Sequence, residues 1–350
     1  MPNKPNKRTA DLGRIHSPEF ICTPFKITLG TFIEGLERGA TELGMGGCNA
    51  YCRFGYYWPV QKLILEDLGY DFKFITLNYE SPIEILQTFK RDVAPGYNTL
   101  GVIRALRQAW LVNRLTDLVD SLLYKYRAVE TEKGTSEKVA EEVFQIIRQT
   151  WKVRQLKGLK RKIPEYFEKN IEIKKDVNPI KVCVNGEIYV ALEPSLNLDI
   201  HRKLNDIGVI VDTPITLRKF IDVGMKLNPF KKMHWQHSVH ASKGYHQFKC
   251  GGETQENLGD TITYKKAGYD GIIHLYPFTC MPEIISRSIL PQVSKEHDMP
   301  VLSLVLDEQT GEAGFQTRLE AYVDLLSRKR EDNGSERNKK LNIGDLIVGL

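Results

Sequence analysis

Between residues 180 and 305 the chain carries four short apolar runs: 180–184 (IKVCV), 207–211 (IGVIV), 271–275 (GIIHL) and 301–305 (VLSLV). A strand buried on both faces reads as a continuous apolar run instead of an alternation, and such runs separated by helices build a parallel sheet covered on both sides. Helices are expected in the gaps and beyond, near 195–206, 254–267, 281–297 and 313–328. The expected class is therefore α/β, and in such sheets the groups that bind ligands gather at the carboxyl ends of the strands.

Upstream the pattern differs. Phe32, Leu36, Ala40 and Leu43 recur at helical spacing, predicting a helix over 30–43. Val60, Leu63, Ile64 and Leu68 predict a second, stopped by Gly69. Phe72 to Leu77 reads as a strand. From 99 to 157 the pattern is helical throughout, with one stripe through Ile103, Leu106, Trp110, Leu118, Leu122 and Tyr126. A second stripe runs through Val139, Val143, Ile147 and Trp151, and Gly134 lies in the break between them; both stripes read as core packing. The expected organisation is an irregular arm over 1–20, an α/β domain with a helical insert over 21–163, a linker over 164–179 bracketed by Pro164 and Pro179, a second α/β domain over 180–327, and a mobile, charged tail over 328–350.

At 350 residues the chain is long enough to bury a sizeable core without disulfide staples. No apolar run approaches the length of a membrane-spanning helix, and the basic start of the chain has no apolar stretch behind it. Neither a membrane nor nucleic acid is expected as a partner, since the net charge of +5 is modest. Cytoplasmic residence is the expectation, and there six cysteines read as ligands or nucleophiles. Lys152 to Lys162 (KVRQLKGLKRK) reads either as a solvated helix face or as a contact for an anionic partner.

Three cysteines share a setting. Cys280 follows the run at 271–275 through Tyr-Pro-Phe-Thr and precedes a helix, with Pro282 suited to its first turn. Cys22 stands in Ile-Cys-Thr-Pro ahead of the first helix, and Cys52 follows a glycine-bearing turn ahead of the second. A thiol at a helix start has its thiolate favoured by the exposed N–H groups. Three thiols on three such turns suit convergence on one inorganic cluster, whose usual protein ligands are thiolates. Cys48, four residues before Cys52, is a fourth candidate, although it lacks the partner CxxC of a zinc ribbon. Cys183, inside a strand, reads as a buried small hydrophobe; Cys250 lies in a loop and reads as a loop thiol or a further ligand.

The surroundings of these cysteines resemble one family. The blocks are Cys22-Thr-Pro-Phe-Lys-Ile-Thr-Leu-Gly, Gly47-Cys48-Asn-Ala-Tyr-Cys52-Arg-Phe-Gly-Tyr-Tyr, Gly186-Glu-Ile-Tyr, Pro277-Phe-Thr-Cys280-Met-Pro-Glu and Asp307-Glu-Gln-Thr-Gly-Glu-Ala-Gly. Together, over about residues 8 to 328, they resemble the 2-hydroxyglutaryl-CoA dehydratase component family, in the branch labelled CoA-enzyme activase. The resemblance implies two flavodoxin-like domains facing each other across a cluster held by Cys22, Cys52 and Cys280. It further implies a [4Fe-4S] cluster, or a double-cubane cluster as in nearby relatives, and low-potential electrons from a separate ATP-dependent activator protein. The substrate implied is an acyl-CoA or another small molecule that is reduced or dehydrated. Pairing as a homodimer, or as a heterodimer with a related subunit, is implied as well. The chain has no GxxxxGK[ST] phosphate loop and is not expected to be the ATPase itself. Two other readings stay open: a non-catalytic cluster scaffold or accessory subunit, and a zinc-stabilised binding protein.

Further candidates surround the cysteines. Arg53 is placed to neutralise cluster charge or to sit on the surface. Glu187, Glu283, Asp307, Glu308 and Glu312 lie after strands or in first helical turns, where carboxylates serve acid–base work or cap and bond the loops. His234, His237, His240 and His246, with Lys231, Lys232 and Lys243, crowd one loop-like stretch that reads as polar surface or as a second metal or phosphate contact.

Overall fold

The computed structural model describes residues 3–47, 52–78, 81–175, 177–219, 234–248, 250–307 and 310–332, the side chains of 234 and 235 apart. The chain is mixed α/β with two small parallel sheets. It begins with a helix, α1 (Lys7–His16), where the sequence predicts an irregular arm. Asn6 caps it, accepting from the Arg8 and Thr9 N–H groups while Thr9 Oγ1 accepts from the Asn6 N–H, a reciprocal capping box. α1 crosses α2 (Thr23–Glu37) at close range, with Gly13 against the Lys26 carbonyl and Gly30 against that of Thr9.

Strand β1 (Glu42–Gly47) follows, then a 3-10 turn (Arg53–Tyr56), α3 (Tyr57–Asp67) and β2 (Lys73–Asn78). β1 and β2 pair in parallel from Glu42 opposite Lys73 to Gly47 opposite Asn78. The first helix thus lies several residues earlier than its predicted span of 30–43, and Leu43 belongs to a strand, facing the core beside Met45. Phe25, Leu29, Ile33, Leu43, Met45 and Leu65 close this small core around Tyr57.

A helical unit comes next: α4 (Pro82–Thr88), α5 (Thr99–Val129), α6 (Thr135–Gln149) and α7 (Val153–Asn170). The predicted break at Gly134 is the N-cap of α6, at φ 89. Leu118, Leu122 and Tyr126 are buried as the stripe requires. Ile103 and Trp151 are instead exposed, Trp151 lying just past the end of α6. α7 runs straight through Pro164, so the first part of the expected linker, to Asn170, is helix. The C-terminal part of α5 packs onto the second sheet: Tyr124 stacks on His201 with ring centroids 4.4 Å apart, and Ile210 joins the helical core.

The second sheet holds β3 (Lys181–Gly186), β4 (Ile210–Asp212), β5 (Gly271–Pro277) and β6 (Val301–Leu306), all parallel, in the order β4-β3-β5-β6. Between β3 and β4 run the short helices α8 (Ile188–Leu192), α9 (Pro194–Asn197) and α10 (Ile200–Asp206). Between β4 and β5 run α11 (His234–Ser242) and α12 (Thr254–Lys266), the former where a loop-like stretch is expected. α13 (Met281–Glu296) connects β5 to β6, and α14 (Glu312–Asp332) follows, continuing past residue 328 where the tail is predicted to begin. All seven residues of β5 are buried, which is why its run is unbroken in the sequence. Chain order reverses between β3 and β5, so loops leaving these two strands diverge and leave a crevice at their carboxyl ends. Among the described residues no helix is long and apolar enough to cross a membrane.

Candidate functional site

Five N-caps face one another at that crevice. Cys22 caps α2, Cys52 the 3-10 turn that leads into α3, Glu187 caps α8, Glu253 α12 and Cys280 α13. The three cysteines make no cap hydrogen bond through their side chains. They come from distant stretches of sequence yet sense one another. The Cys22 thiolate raises both Cys52 and Cys280, and the Glu187 carboxylate raises all three thiols.

Burial is the largest cause of each shift. Cys22 and Cys280 are almost fully enclosed, and loss of water pushes both thiols up; Cys52, half-buried, is pushed up to about 12. Opposing this, the Tyr57 hydroxyl lies 2.6 Å from Cys22 Sγ, while the nearby backbone N–H groups of Glu283 and Phe54 favour the thiolates of Cys280 and Cys52 without forming cap hydrogen bonds. Arg53 lowers Cys22 from a distance, its own Nη1 donating to the Phe20 carbonyl at 3.0 Å. The site is rich in groups that become anionic and poor in cations.

Glu253 is raised well above the usual carboxylate range by burial, then by Glu283 and Glu187. Glu187 is pushed up to about 7 by burial, against N–H donation from Val190 (2.9 Å) and Tyr189. A carboxyl that is harder to ionise folded than unfolded holds its proton in the fold. Its contribution favours the fold at low pH and is lost as pH rises from its ordinary 4.5 through about 7. The melting temperature of the metal-free protein should therefore fall between pH 5 and pH 8, and Glu187→Gln should flatten that fall. An unchanged slope in the variant, read by differential scanning fluorimetry, would contradict the assignment.

Behind the caps lies a buried polar chain. The Gly186 N–H donates to Asn257 Oδ1 (3.1 Å), Asn257 Nδ2 donates to Glu283 Oε2 (2.8 Å), and His274 Nε2 meets the same oxygen at 2.7 Å. Glu283 and His274 are fully buried, and Glu283 Oε1 has no hydrogen-bond partner. This chain ties the turn bearing Glu187 to the turn bearing Cys280.

Of the sequence-predicted residues, Cys22, Cys52, Cys280, Arg53, Glu187 and Glu283 are brought together. Cys48 and Glu308 lie outside the described residues, as do Lys231 and Lys232. Asp307 bonds within its own loop, accepting from Thr310 Oγ1 at 2.9 Å. Glu312 is exposed and paired with Lys203, because the first turn of α14 looks away from the crevice. Cys183 is fully buried in β3, and Cys250 Sγ lies 3.0 Å from Thr254 Oγ1. Among the described residues no three His, Cys, Asp or Glu side chains converge tightly enough for a single metal ion, His237 and His240 of α11 included. Tyr57, Glu253, Asn257 and His274 were not legible; of these only Glu253 carried a signal, following the glycine pair after Cys250 at a helix start. No family model matches the chain, and no curated protein matches it.

Proposed function

We propose that the chain is an iron–sulfur protein of the 2-hydroxyacyl-CoA dehydratase kind. In this reading Cys22, Cys52 and Cys280 hold a [4Fe-4S] cluster in a crevice between two flavodoxin-like units. The protein takes low-potential electrons from an ATP-dependent activator protein and uses them to reduce or dehydrate an acyl-CoA or another small molecule. One observation carries the reading: three thiols, two buried and one half-buried, each at the start of a helical segment, gather from both halves of the chain near the switch point of a parallel sheet.

The donor set fits the group. Three desolvated thiols and two raised carboxyls, with Arg53 as the cation that eases Cys22, make a site whose ionised form calls for a cationic partner that prefers sulfur. The N-termini of α2, α8, α12 and α13 favour the net negative charge that thiolates give a cluster. The order β4-β3-β5-β6 corresponds to the first four strands of a flavodoxin-like sheet and supports that fold for the second unit.

When bound, the cluster supplies a one-electron reductant with an iron that a three-thiolate set leaves open. The protein's own groups supply the rest. Burial keeps water from the thiolates, the Tyr57 hydroxyl donates to Cys22, Glu253 holds a proton beside the crevice, and Glu187 exchanges one near neutral pH. Glu283, fixed by Asn257 and His274, positions the turn of Cys280. Anaerobic purification followed by iron, sulfide and zinc analysis tests the reading. A brown protein with iron and sulfide in equal amounts is expected, with an electron paramagnetic resonance signal on reduction that thioesters perturb. A colourless, zinc-loaded protein would overturn it.

A further inference from the structure

Beside Gly208, at the amino end of the edge strand β4 and away from the carboxyl-end crevice, lies a cavity of about 310 Å³ between the end of α5, the start of α6 and α10. Its volume is at the lower end of small-molecule sites. Four cations line it, Arg127, Lys133, Lys174 and Arg202, against the carboxylates of Glu130, Glu137 and Asp206. Glu130 is already committed: its two oxygens accept the Gly134 and Ser136 N–H groups at 2.7 Å each, capping α6. The draw for an anion therefore comes from the side-chain cations and not from the helix end.

Arg127 is the informative member. Its side chain is only 10% exposed, and its guanidinium is held by Asn205 Oδ1 at 2.9 Å from Nε and by Glu137 Oε1 at 3.3 Å from Nη1. Nη2, on the same rigid fork, is buried and has no hydrogen-bond partner. A buried donor left unmatched on a charged group is costly, and such groups in native proteins almost always find an acceptor. Arg202 is drawn to the same Glu137 oxygen, so a second guanidinium stands beside the first. Lys133 and Lys174 are exposed, and Lys174 is carried in by the backbone bond from its N–H to the Val129 carbonyl.

We propose that this cavity binds a phosphoryl group, either free phosphate or a small phosphomonoester. A buried arginine fork with one unmatched donor, beside a second arginine and two exposed lysines, supplies the charged donors that a tetrahedral oxyanion accepts. The walls argue against a nucleotide, because no aromatic side chain lines the cavity and Ala128 is its one apolar residue besides the glycines. Glu137 and Asp206 instead offer acceptors for hydroxyl groups, which suits a short polyol carrier.

Isothermal titration calorimetry on the full chain, at constant ionic strength, tests this with inorganic phosphate and with glycerol 3-phosphate. Saturable binding is expected, weakened roughly ten-fold or more in Lys133→Ala/Lys174→Ala, which touches no buried contact, and in Arg127→Lys, which keeps the charge and loses the fork. Circular dichroism of the variants checks that they fold. Tighter binding of glycerol 3-phosphate identifies a phosphomonoester as the ligand; equal or tighter binding of phosphate identifies the free ion. Absence of heat with both probes at millimolar concentration, or equal affinity in the lysine double variant, would overturn the proposal. Neither result bears on the cysteine site, which lies at the carboxyl ends of the central strands β3 and β5.

Discussion

Replacing Cys280 with serine should strip the anaerobically purified protein of most of the iron and sulfide proposed for it, as should the same change at Cys22 or Cys52. A serine hydroxyl stays protonated where a thiol would give up its proton to a metal, so the ligand is lost and not merely weakened. Loss of a supporting group near a metal already costs ten- to a hundred-fold in affinity, and loss of a ligand should cost at least about that much. Two cysteines provide the contrast. Cys183 is fully enclosed in β3, where burial and then the charges of Asp260 and Asp212 raise its thiol far up; serine there should lower the melting temperature and leave iron content unchanged. Cys250, hydrogen-bonded to Thr254, should tolerate serine with little change in either. Iron retained in all three of Cys22→Ser, Cys52→Ser and Cys280→Ser would contradict the proposed ligand set. Iron lost on Cys48→Ser would add a fourth thiolate to it.

The second sheet was readable in the sequence because its central strands β3 and β5 are buried on both faces and so appear as nearly unbroken apolar runs, and the half-buried edge strand β6 is apolar as well. β1 was not. Its sequence, Glu-Leu-Gly-Met-Gly-Gly, buries Leu43, Met45 and Gly47, but three glycines carry no strand preference, and Leu43 also fits a helical stripe running back to Phe32. α1 was hidden for a related reason. The residues it buries are Thr9 and Gly13, chosen to let two helices approach closely, so no apolar stripe announces it. Pro164 misled in the other direction, since a proline inside a helix is uncommon enough that an end is the better expectation. At the site, what local sequence can specify was visible: a thiol or carboxylate at a helix start. What only the tertiary fold specifies was not. Tyr57 reaches Cys22 across thirty-five positions of chain, and His274 becomes a partner of Glu283 only because β5 and α13 fold back on each other. Glu312 shows the converse, a carboxylate in the right kind of sequence whose helix turns it outward to Lys203.

Gly186→Ala should be among the most damaging single substitutions in the chain, lowering stability by about 3 kcal/mol or more and emptying the site as well. Gly186 closes β3 at φ 132, a conformation that L side chains rarely adopt, and strain of that kind costs roughly 1–3 kcal/mol. A Cβ there would also fall well inside contact distance of the Leu275 carbonyl oxygen on the neighbouring strand. That oxygen accepts the Glu187 N–H at 2.9 Å, and the Gly186 N–H itself is bound by Asn257. Relief of the clash therefore has to move either β3 from β5 or the whole Glu187 turn, and overpacking against backbone typically adds a further ~1–3 kcal/mol. The displaced Asn257 would release Glu283 and with it the turn of Cys280. Gly268→Ala separates the two contributions: Gly268 has φ 81 but nothing within 4 Å of an added Cβ, so it carries backbone strain without the collision. Urea denaturation of the metal-free proteins should show Gly268→Ala close to wild type, with a loss of about 1 kcal/mol, and Gly186→Ala far below it. Reconstitution with iron and sulfide should then succeed in Gly268→Ala and fail in Gly186→Ala. Equal stability of the two variants would mean that β3 and β5 are not held together at this point as described.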